Sequence, residues 1–243
     1  MGDSRSPPQS GANFQHCRWH PQSDPAALQQ AALTRILAAA SAALEERGRF
    51  LIVLAGGETP RGIYRQLRLA ETDWSAWHIY FGDERCLPPR DAARNSRMAG
   101  EAWLDHVPIP AGQIHPIPAE LGPRRASATY AALLQEVGDF DLVLLGLGED
   151  GHTASLFPGH NWGVADHKSV LAVLDAPKPP PQRVSLSAAR LARTRQMLFL
   201  VAGRDKRNAV AGWQAGKNIP PRHLTPAAGI DVLVEAALLF PER

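Results

Sequence analysis

The chain has 243 residues, of which 44% are hydrophobic and 21% are charged. Its 26 Lys and Arg residues nearly balance its 24 Asp and Glu residues, and no basic run stands out, which argues against a nucleic-acid partner. No apolar stretch approaches the roughly 18 residues that a membrane helix needs. Neither a nucleic acid nor a membrane is therefore expected as a partner.

The N-terminal segment is polar, contains two prolines and lacks the apolar core of a signal peptide. It predicts a disordered leader over residues 1–13, followed by a single α/β catalytic domain over residues 14–243. Cys17 and Cys86 belong to no CxxC or zinc spacing, so no metal and a reducing, cytoplasmic location are expected. The apolar C-terminal segment fits a monomer or a dimer.

The first predicted element is a long helix over residues 24–47. Asp24 is placed to cap it, Pro25 suits its first position, and Gly48 ends it. The helical period puts five apolar side chains on one face, which we expect to be buried: Leu28, Leu33, Ile36, Leu37 and Leu44.

Strands and helices alternate along the rest of the chain. Apolar runs predict strands at 50–55, 77–84, 140–148, 170–175 and 197–203, with helices at 56–70, 95–107, 124–137 and 205–214. Residues 231–239 predict a strand, a helix, or a strand that turns into a helix. This alternation predicts an α/β fold with an open, mostly parallel sheet and helices on both faces, whose ligand lies beyond the carboxyl ends of the strands.

The motif GGETP (56–60) follows the strand at 50–55. Gly56 and Gly57 allow a tight turn, and Thr59 is expected to cap a helix that begins at Pro60. Such a helix start, with Arg61 beside it, is suited to a phosphate, although a plain strand-to-helix turn is the alternative. The acidic side chain at position 58 must point outward if an anion binds there.

The motif GDER (82–85) follows the next strand. It offers Asp83, Glu84 and Arg85, and Arg85 is expected either to pair with the two acids at the surface or to bind a phosphate or an oxyanion.

A third motif, GLGEDGH (146–152), follows the strand at 140–148. Its GxGxxG pattern matches a dinucleotide fingerprint, but Glu149 and Asp150 stand where a pyrophosphate would approach, so no nucleotide cofactor is expected. The pair of Asp150 and His152 favours a general base instead, in which the carboxylate orients the imidazole. No GxSxG elbow or phosphate-binding GxxxxGK[ST] loop occurs.

Together the motifs resemble the 6-phosphogluconolactonase family. The similar stretches, in order over residues 50–226, are LAGGETPRGIY (54–64), YFGDERCLPPRDAARNSRMA (80–99), FDLVLLGLGEDGHTASLFPG (140–159), RVSLSAARLARTRQMLFLVAG (183–203) with Lys206, and HLTP (223–226). The resemblance implies hydrolysis of 6-phosphoglucono-1,5-lactone in the oxidative pentose phosphate pathway, without metal or cofactor. It also implies a fold like that of glucosamine-6-phosphate deaminase and ribose-5-phosphate isomerase.

The resemblance also implies roles for single residues. His152 is expected to activate water, Asp150 to support it, and Arg85 to neutralise charge on the oxyanion or the phosphate. Arg183 is expected to bind phosphate. The remaining expected substrate contacts are Gly56, Gly57, Thr59, Arg61 and Asp83.

Two departures from related sequences bear on the function. Family members usually have Ser at position 58, where this chain has Glu. The related deaminases carry an acidic residue where this chain has Phe157, and that residue serves an amino-sugar isomerisation. An amino-sugar-phosphate deaminase/isomerase is therefore the second hypothesis, and a sugar-phosphate-binding regulator without catalysis is the third.

Overall fold

The computed structural model describes residues 15–164 and 168–239. The predicted leader over residues 1–13 lies outside the described residues. The strands of the described part are β1 (Cys17–Gln22), β2 (Phe50–Leu54), β3 (Trp77–Phe81), β4 (Asp83–Arg85), β5 (Ile114–His115), β6 (Phe140–Gly146), β7 (Val170–Val173), β8 (Arg183–Leu186), β9 (Thr194–Val201) and β10 (Ile230–Glu235). The helices are α1 (Pro25–Arg47), α2 (Glu58–Leu67), α3 (Asn95–Ala102), α4 (Pro123–Leu133), α5 (Ala188–Ala192), α6 (Arg207–Gln214) and α7 (Ala236–Leu239).

The main sheet confirms the predicted fold class. Seven of the described strands lie in the order β1-β10-β9-β6-β2-β3-β5, and each neighbouring pair is parallel. The segment 231–239 is a strand followed by a short helix, which is one of the three predicted alternatives. Among the described residues, no helix combines the length and apolar character that crossing a membrane requires.

The direction of winding reverses in the middle of this sheet. From β2 the chain proceeds toward the β5 edge through α2 and α3, whereas from β6 it proceeds toward the β1 edge through α5 and α6. Because parallel crossovers are right-handed, opposite directions of winding place helices on opposite faces. The carboxyl ends of β2 and β6 therefore flank a topological switch point, the place where open α/β sheets bind ligands.

A second sheet, which the sequence analysis did not predict, contains β4, β8 and β7 in antiparallel pairs. The chain passes from one sheet to the other at Gly82, whose N–H donates to Leu54 at 3.1 Å and whose carbonyl accepts from Leu186 at 2.8 Å. The prediction of one strand over 77–84 is therefore wrong, because Gly82 divides it into β3 and β4. The strand predicted at 170–175 exists as β7 but belongs to this second sheet.

Helix α1 begins and ends as predicted. The Asp24 side chain accepts from Ala27 N at 2.8 Å, and Gly48 adopts a left-handed conformation with φ 66° and donates to Leu44 O.

The buried face of α1 was predicted only in part: Leu28 and Ile36 are buried as predicted, and the other three residues are not. Leu33, Leu37 and Leu44 are only partly buried against the core. The fully buried positions of the helix are largely small: Leu28, Ala32, Ile36, Ala39, Ala40 and Ala43. Small side chains let a helix approach its neighbours closely, and larger apolar side chains then pack along the sides of the contact.

The alanine face of α1 yields a stability prediction. Replacement Ala40→Leu should destabilise the protein by about 1–3 kcal/mol, because Ala40 is 1% exposed and a larger side chain in a packed core forces its neighbours to move. Ala38→Leu, at an exposed position of the same helix, should change the stability by less than about 0.5 kcal/mol. Urea unfolding of the two variants measures the difference, and equal midpoints would contradict tight packing of this face.

Candidate active site

A cavity of about 520 Å³ opens at the carboxyl ends of β2, β6 and β9, beside the switch point. Seven of the nine predicted site residues line it: Gly56, Gly57, Thr59, Asp83, Arg85, His152 and Arg183. Asp150 is hydrogen-bonded to the lining residue His152, and Arg61 is outside the lining. A larger cavity of about 700 Å³ beside α4 and β7 contains none of the nine, so the smaller cavity is the candidate site.

His152 and Asp150 are brought together by the tight turn that follows β6. The N–H of Gly148 donates to the His152 carbonyl at 2.7 Å, and Gly151 has a φ of 90°, which favours glycine. His152 Nδ1 lies 2.5 Å from Asp150 Oδ1. An ionised carboxylate only accepts, so Nδ1 carries the proton and Nε2 keeps its lone pair.

The surroundings of His152 keep its imidazole neutral near pH 7. Burial lowers the pKa of His152 below its ordinary value, and the Asp150 carboxylate offsets only part of this effect. For Asp150, burial raises the pKa, but the hydrogen bonds from His152 and the charges of His152 and Lys178 together outweigh it, and the pKa is lower than usual. A neutral imidazole beside an ionised carboxylate is ready to accept a proton.

The second sheet places two arginines side by side in the cavity. In the register of β4 and β8, Arg85 lies directly opposite Arg183. Like charges in directly opposed positions are unfavourable unless an anion neutralises them. This juxtaposition concentrates positive charge on one wall of the cavity, and it depends on β8, a strand that the sequence did not predict.

Each of these arginines is held by neighbouring groups. Arg85 Nη1 donates to Ala93 O at 2.6 Å and to Asn95 Oδ1 at 2.9 Å. Arg183 is 5% exposed, and its Nε and Nη2 donate at 3.0–3.1 Å to carbonyl groups of the proline-rich loop at 178–180. Arg183 also lies over the Phe157 ring, with 5.4 Å from Cζ to the ring centroid. Arg183, the predicted phosphate ligand, thus also holds the loop that borders the cavity in place.

The GGETP turn differs in one detail from the prediction. Helix α2 begins at Glu58, its N-cap is Gly57 with φ 110°, and no side chain caps it. The predicted capping role of Thr59 is therefore wrong, because Thr59 is already within the first helical turn. The side chain of Glu58 is 86% exposed and accepts from Arg61 Nη1 at 3.2 Å, so Arg61 offsets its charge, but Glu58 is also among the residues that line the cavity.

The lining also contains residues that were not named as site residues from the sequence, among them Asn95, Lys178 and Lys206. Lys178 lies in the proline-rich segment and donates to Glu149 Oε1 at 2.9 Å. Lys206 follows β9 and pairs with Asp205 at 2.7 Å. Asn95 lies eleven positions after Glu84, in the stretch that begins α3, and only the packing of α3 against β4 brings it into the cavity.

Metal binding has no candidate cluster in the described part of the chain. Within residues 15–164 and 168–239, no group of three or more His, Cys, Asp and Glu side chains is placed to hold a metal ion. His16 and His20 are four residues apart, but this stretch is extended, and an extended chain separates such residues by about 13 Å. The expectation of a site without a metal stays a prediction.

Comparison with known proteins agrees with the geometry of the site. The family model for glucosamine-6-phosphate isomerases/6-phosphogluconolactonase matches residues 23–237. The 6-phosphogluconolactonase of Mycobacterium leprae is 37% identical over 235 residues, which cover 91% of this chain and 94% of that protein. The chain belongs to the 6-phosphogluconolactonase family.

Solved structures agree with the family membership. The 6-phosphogluconolactonase of Thermotoga maritima is similar with a TM-score of 0.84 at 25% identity, covering 90% of this chain and 100% of that one. A monomeric glucosamine-6-phosphate deaminase shares the fold, with a TM-score of 0.77 at 21% identity, covering 91% of this chain and 98% of that one. The fold is thus common to lactonases and deaminases, so the fold alone does not distinguish the two activities and the residues of the site are needed.

The environment of His152 predicts the pH dependence of activity. A general base must be neutral to accept a proton, and the pKa of His152 lies below its ordinary value, so with His152 as the base kcat/KM should be high at pH 7 and fall only well below about pH 6.5. Asp150→Asn removes a carboxylate that stabilises the protonated ring, so the acid limb should move to lower pH while kcat falls roughly 10-fold or more.

Profiles of kcat/KM against pH for both proteins test this expectation. Asp139→Asn, at an exposed carboxylate that pairs with Arg193, is the matched control and should leave the profile unchanged. An acid limb that moves to higher pH in Asp150→Asn would contradict the assigned relation between the two side chains.

Proposed function

We propose that this chain hydrolyses 6-phospho-D-glucono-1,5-lactone to 6-phosphogluconate with a water molecule activated by His152. The reaction is that of the family to which the chain belongs. The single observation that carries the role of His152 is its hydrogen bond to Asp150 in a cavity lined by Arg85, Arg183 and Lys206.

The chemical steps follow from this arrangement. Nε2 of His152 takes a proton from water while the water oxygen bonds to the lactone carbonyl carbon, whose oxygen becomes an oxyanion. The tetrahedral intermediate then collapses, the bond from carbon to the ring oxygen breaks, and the imidazolium returns the proton to that oxygen. The departing alkoxide remains part of the product, so no separate leaving group has to diffuse away. Positioned general-base catalysis is worth about 100- to 10,000-fold.

The cations around the cavity match the charge of the substrate. A phosphate dianion and a developing oxyanion both require donors, and the opposed guanidinium groups of Arg85 and Arg183 supply them. The first backbone N–H groups of α2 precede the first bond within the helix, Arg61 N to Gly57 O, so they are additional donors at the cavity. Gly56, Gly57 and Thr59 would contact the substrate through this turn, and Asp83 lies beside it.

Phe157 favours hydrolysis over amino-sugar isomerisation. Its ring is fully buried and packs against the His152 imidazole, with 4.7 Å between the ring centroids. A phenyl ring offers no proton-transfer group at the position where the related deaminases carry an acid. A regulator without catalysis is disfavoured by the His152–Asp150 pair, since binding alone needs no base.

We also propose a cytoplasmic location and action on a small phosphosugar, as a monomer or a dimer, without nucleic acid or membrane partners. The two free cysteines, Cys17 and Cys86, support a reducing compartment.

Removal of His152 tests the proposed base. The lactone is generated in situ from glucose 6-phosphate, and the rate of its spontaneous opening is subtracted. His152→Ala should lower kcat by about two to four orders of magnitude. Its affinity for the product 6-phosphogluconate, measured by titration calorimetry, should stay within a few-fold of the parent because the cations of the cavity are intact. His106→Ala, at an exposed histidine, is the control. An equal loss of binding and turnover would show that His152 is structural.

A lactone without phosphate separates the two roles open to the arginines. Arg183→Ala should lower kcat/KM by roughly 10- to 100-fold on the phosphorylated lactone, the range of a lost charged hydrogen bond. On glucono-1,5-lactone, which lacks the phosphate, the same variant should lose much less. Arg85→Ala follows the same pattern if it binds phosphate and loses activity on both lactones if it binds the oxyanion. An Arg183→Ala variant equally impaired on both substrates would contradict its role as a phosphate ligand.

A further inference from the structure

Asp83 and Arg85 have opposite charges and are two residues apart on β4. Alternate residues of a strand project from the same face, so these two side chains are placed to form a direct ion pair. Among the described residues, however, Arg85 forms no ion pair within 4 Å. The Asn95 side chain stands between them instead. Its Oδ1 accepts from Arg85 Nη1 at 2.9 Å, and its Nδ2 donates to Asp83 Oδ1 at 2.9 Å.

The orientation of the Asn95 amide follows from the two groups it contacts. A guanidinium only donates hydrogen bonds and an ionised carboxylate only accepts them, so the oxygen must face Arg85 and the nitrogen must face Asp83. The same nitrogen also donates to the Asp83 backbone carbonyl at 2.9 Å. Three hydrogen bonds of one buried amide, 4% exposed, therefore keep a cation and an anion apart.

The position of Asn95 is itself fixed from two sides. The fully buried carboxylate of Glu84 accepts from Asn95 N at 2.7 Å and from Ser96 N at 2.8 Å, which holds the start of α3 against β4. On the other side lies Gly56, where an added Cβ would overlap the Asn95 amide. The Asn95 side chain therefore packs directly against Gly56 of the GGETP turn.

Asp83 is held away from Arg85 by a second group as well. Its Oδ2 accepts from Ser155 Oγ at 2.5 Å, and Ser155 is in the loop that follows His152. Both oxygens of the Asp83 carboxylate are thus occupied by neutral donors.

We propose that Asn95 is a positioning residue that separates Arg85 from Asp83 and so keeps the charge of Arg85 available to the substrate. The inference rests on the proposed lactone hydrolysis. If Asn95 is shortened, Arg85 turns to Asp83, the two charges neutralise each other, and the cavity loses one cation for its anionic ligand. The loss then depends on the negative charge at position 83. A purely structural role of Asn95 would give a loss that is the same with or without that charge.

A double-mutant cycle with Asp83→Asn tests this dependence. In the parent, Asn95→Ala should lower kcat/KM for the lactone by about 10- to 100-fold and weaken 6-phosphogluconate binding by a similar factor, the range of one charged hydrogen bond. In the Asp83→Asn background, where no anion competes for Arg85, the same replacement should cost less than about three-fold. Asn218→Ala, at an exposed asparagine that contacts His223, is the matched control in both backgrounds.

Equal losses in the two backgrounds would overturn the proposal, because they would show that Asn95 acts without regard to the charge of Asp83. Asn95→Ser, which retains a small polar side chain at the start of α3, repeats the cycle if the alanine variant does not fold, as judged by thermal unfolding. A parent protein without lactonase activity would instead count against the proposed function, so the two failures are distinguishable.

Discussion

The reversal of winding between β2 and β6 is the constraint on which the site depends. Because the crossover from β2 and the crossover from β6 leave in opposite directions, the carboxyl ends of these two strands flank an opening between the helices. The turn of Gly56 and Gly57 and the turn that carries His152 therefore face each other across an open cavity. The second sheet then adds β4 and β8 above this edge, and with them Arg85 and Arg183.

The electrostatics of the cavity combine a neutral imidazole with four cationic side chains, Arg85, Lys178, Arg183 and Lys206, beside three acidic ones. Burial disfavours the protonated form of His152, and the nearby Lys178 acts in the same direction. The pairing with Asp150 limits the effect and fixes the tautomer. The positive field that favours an anionic ligand also disfavours an imidazolium. Cationic side chains and a neutral imidazole are therefore compatible in one cavity.

Buried polar groups set the geometry of the functional side chains. Glu84 accepts hydrogen bonds from the start of α3, Asn95 bonds to both Arg85 and Asp83 and lies between them, and Ser155 links Asp83 to the histidine loop. A buried carboxylate or amide is costly unless its hydrogen bonds are satisfied, so each of these groups restricts the segments around it to one arrangement. The lining of the cavity is in this way coupled to the packing behind it.

Local sequence determined much of this protein. The caps of α1, the buried strands 50–54 and 140–146, the three glycine-containing motifs at strand ends and the parallel α/β class follow from periodicity, cap residues and turn residues, all of which are short-range. The pair of Asp150 and His152 could also be predicted from the sequence, because the two residues are close in the chain.

Only the tertiary structure decided which distant residues meet. The division of residues 77–84 at Gly82, the pairing of Arg85 with Arg183 nearly a hundred positions away, and the place of Asn95 between two charges depend on long-range strand pairing and on the packing of α3. The buried face of α1 was predicted only in part for the same reason. Close approach of neighbouring elements favours alanine at the tightest contacts, and the size of an apolar side chain does not reveal where these contacts are.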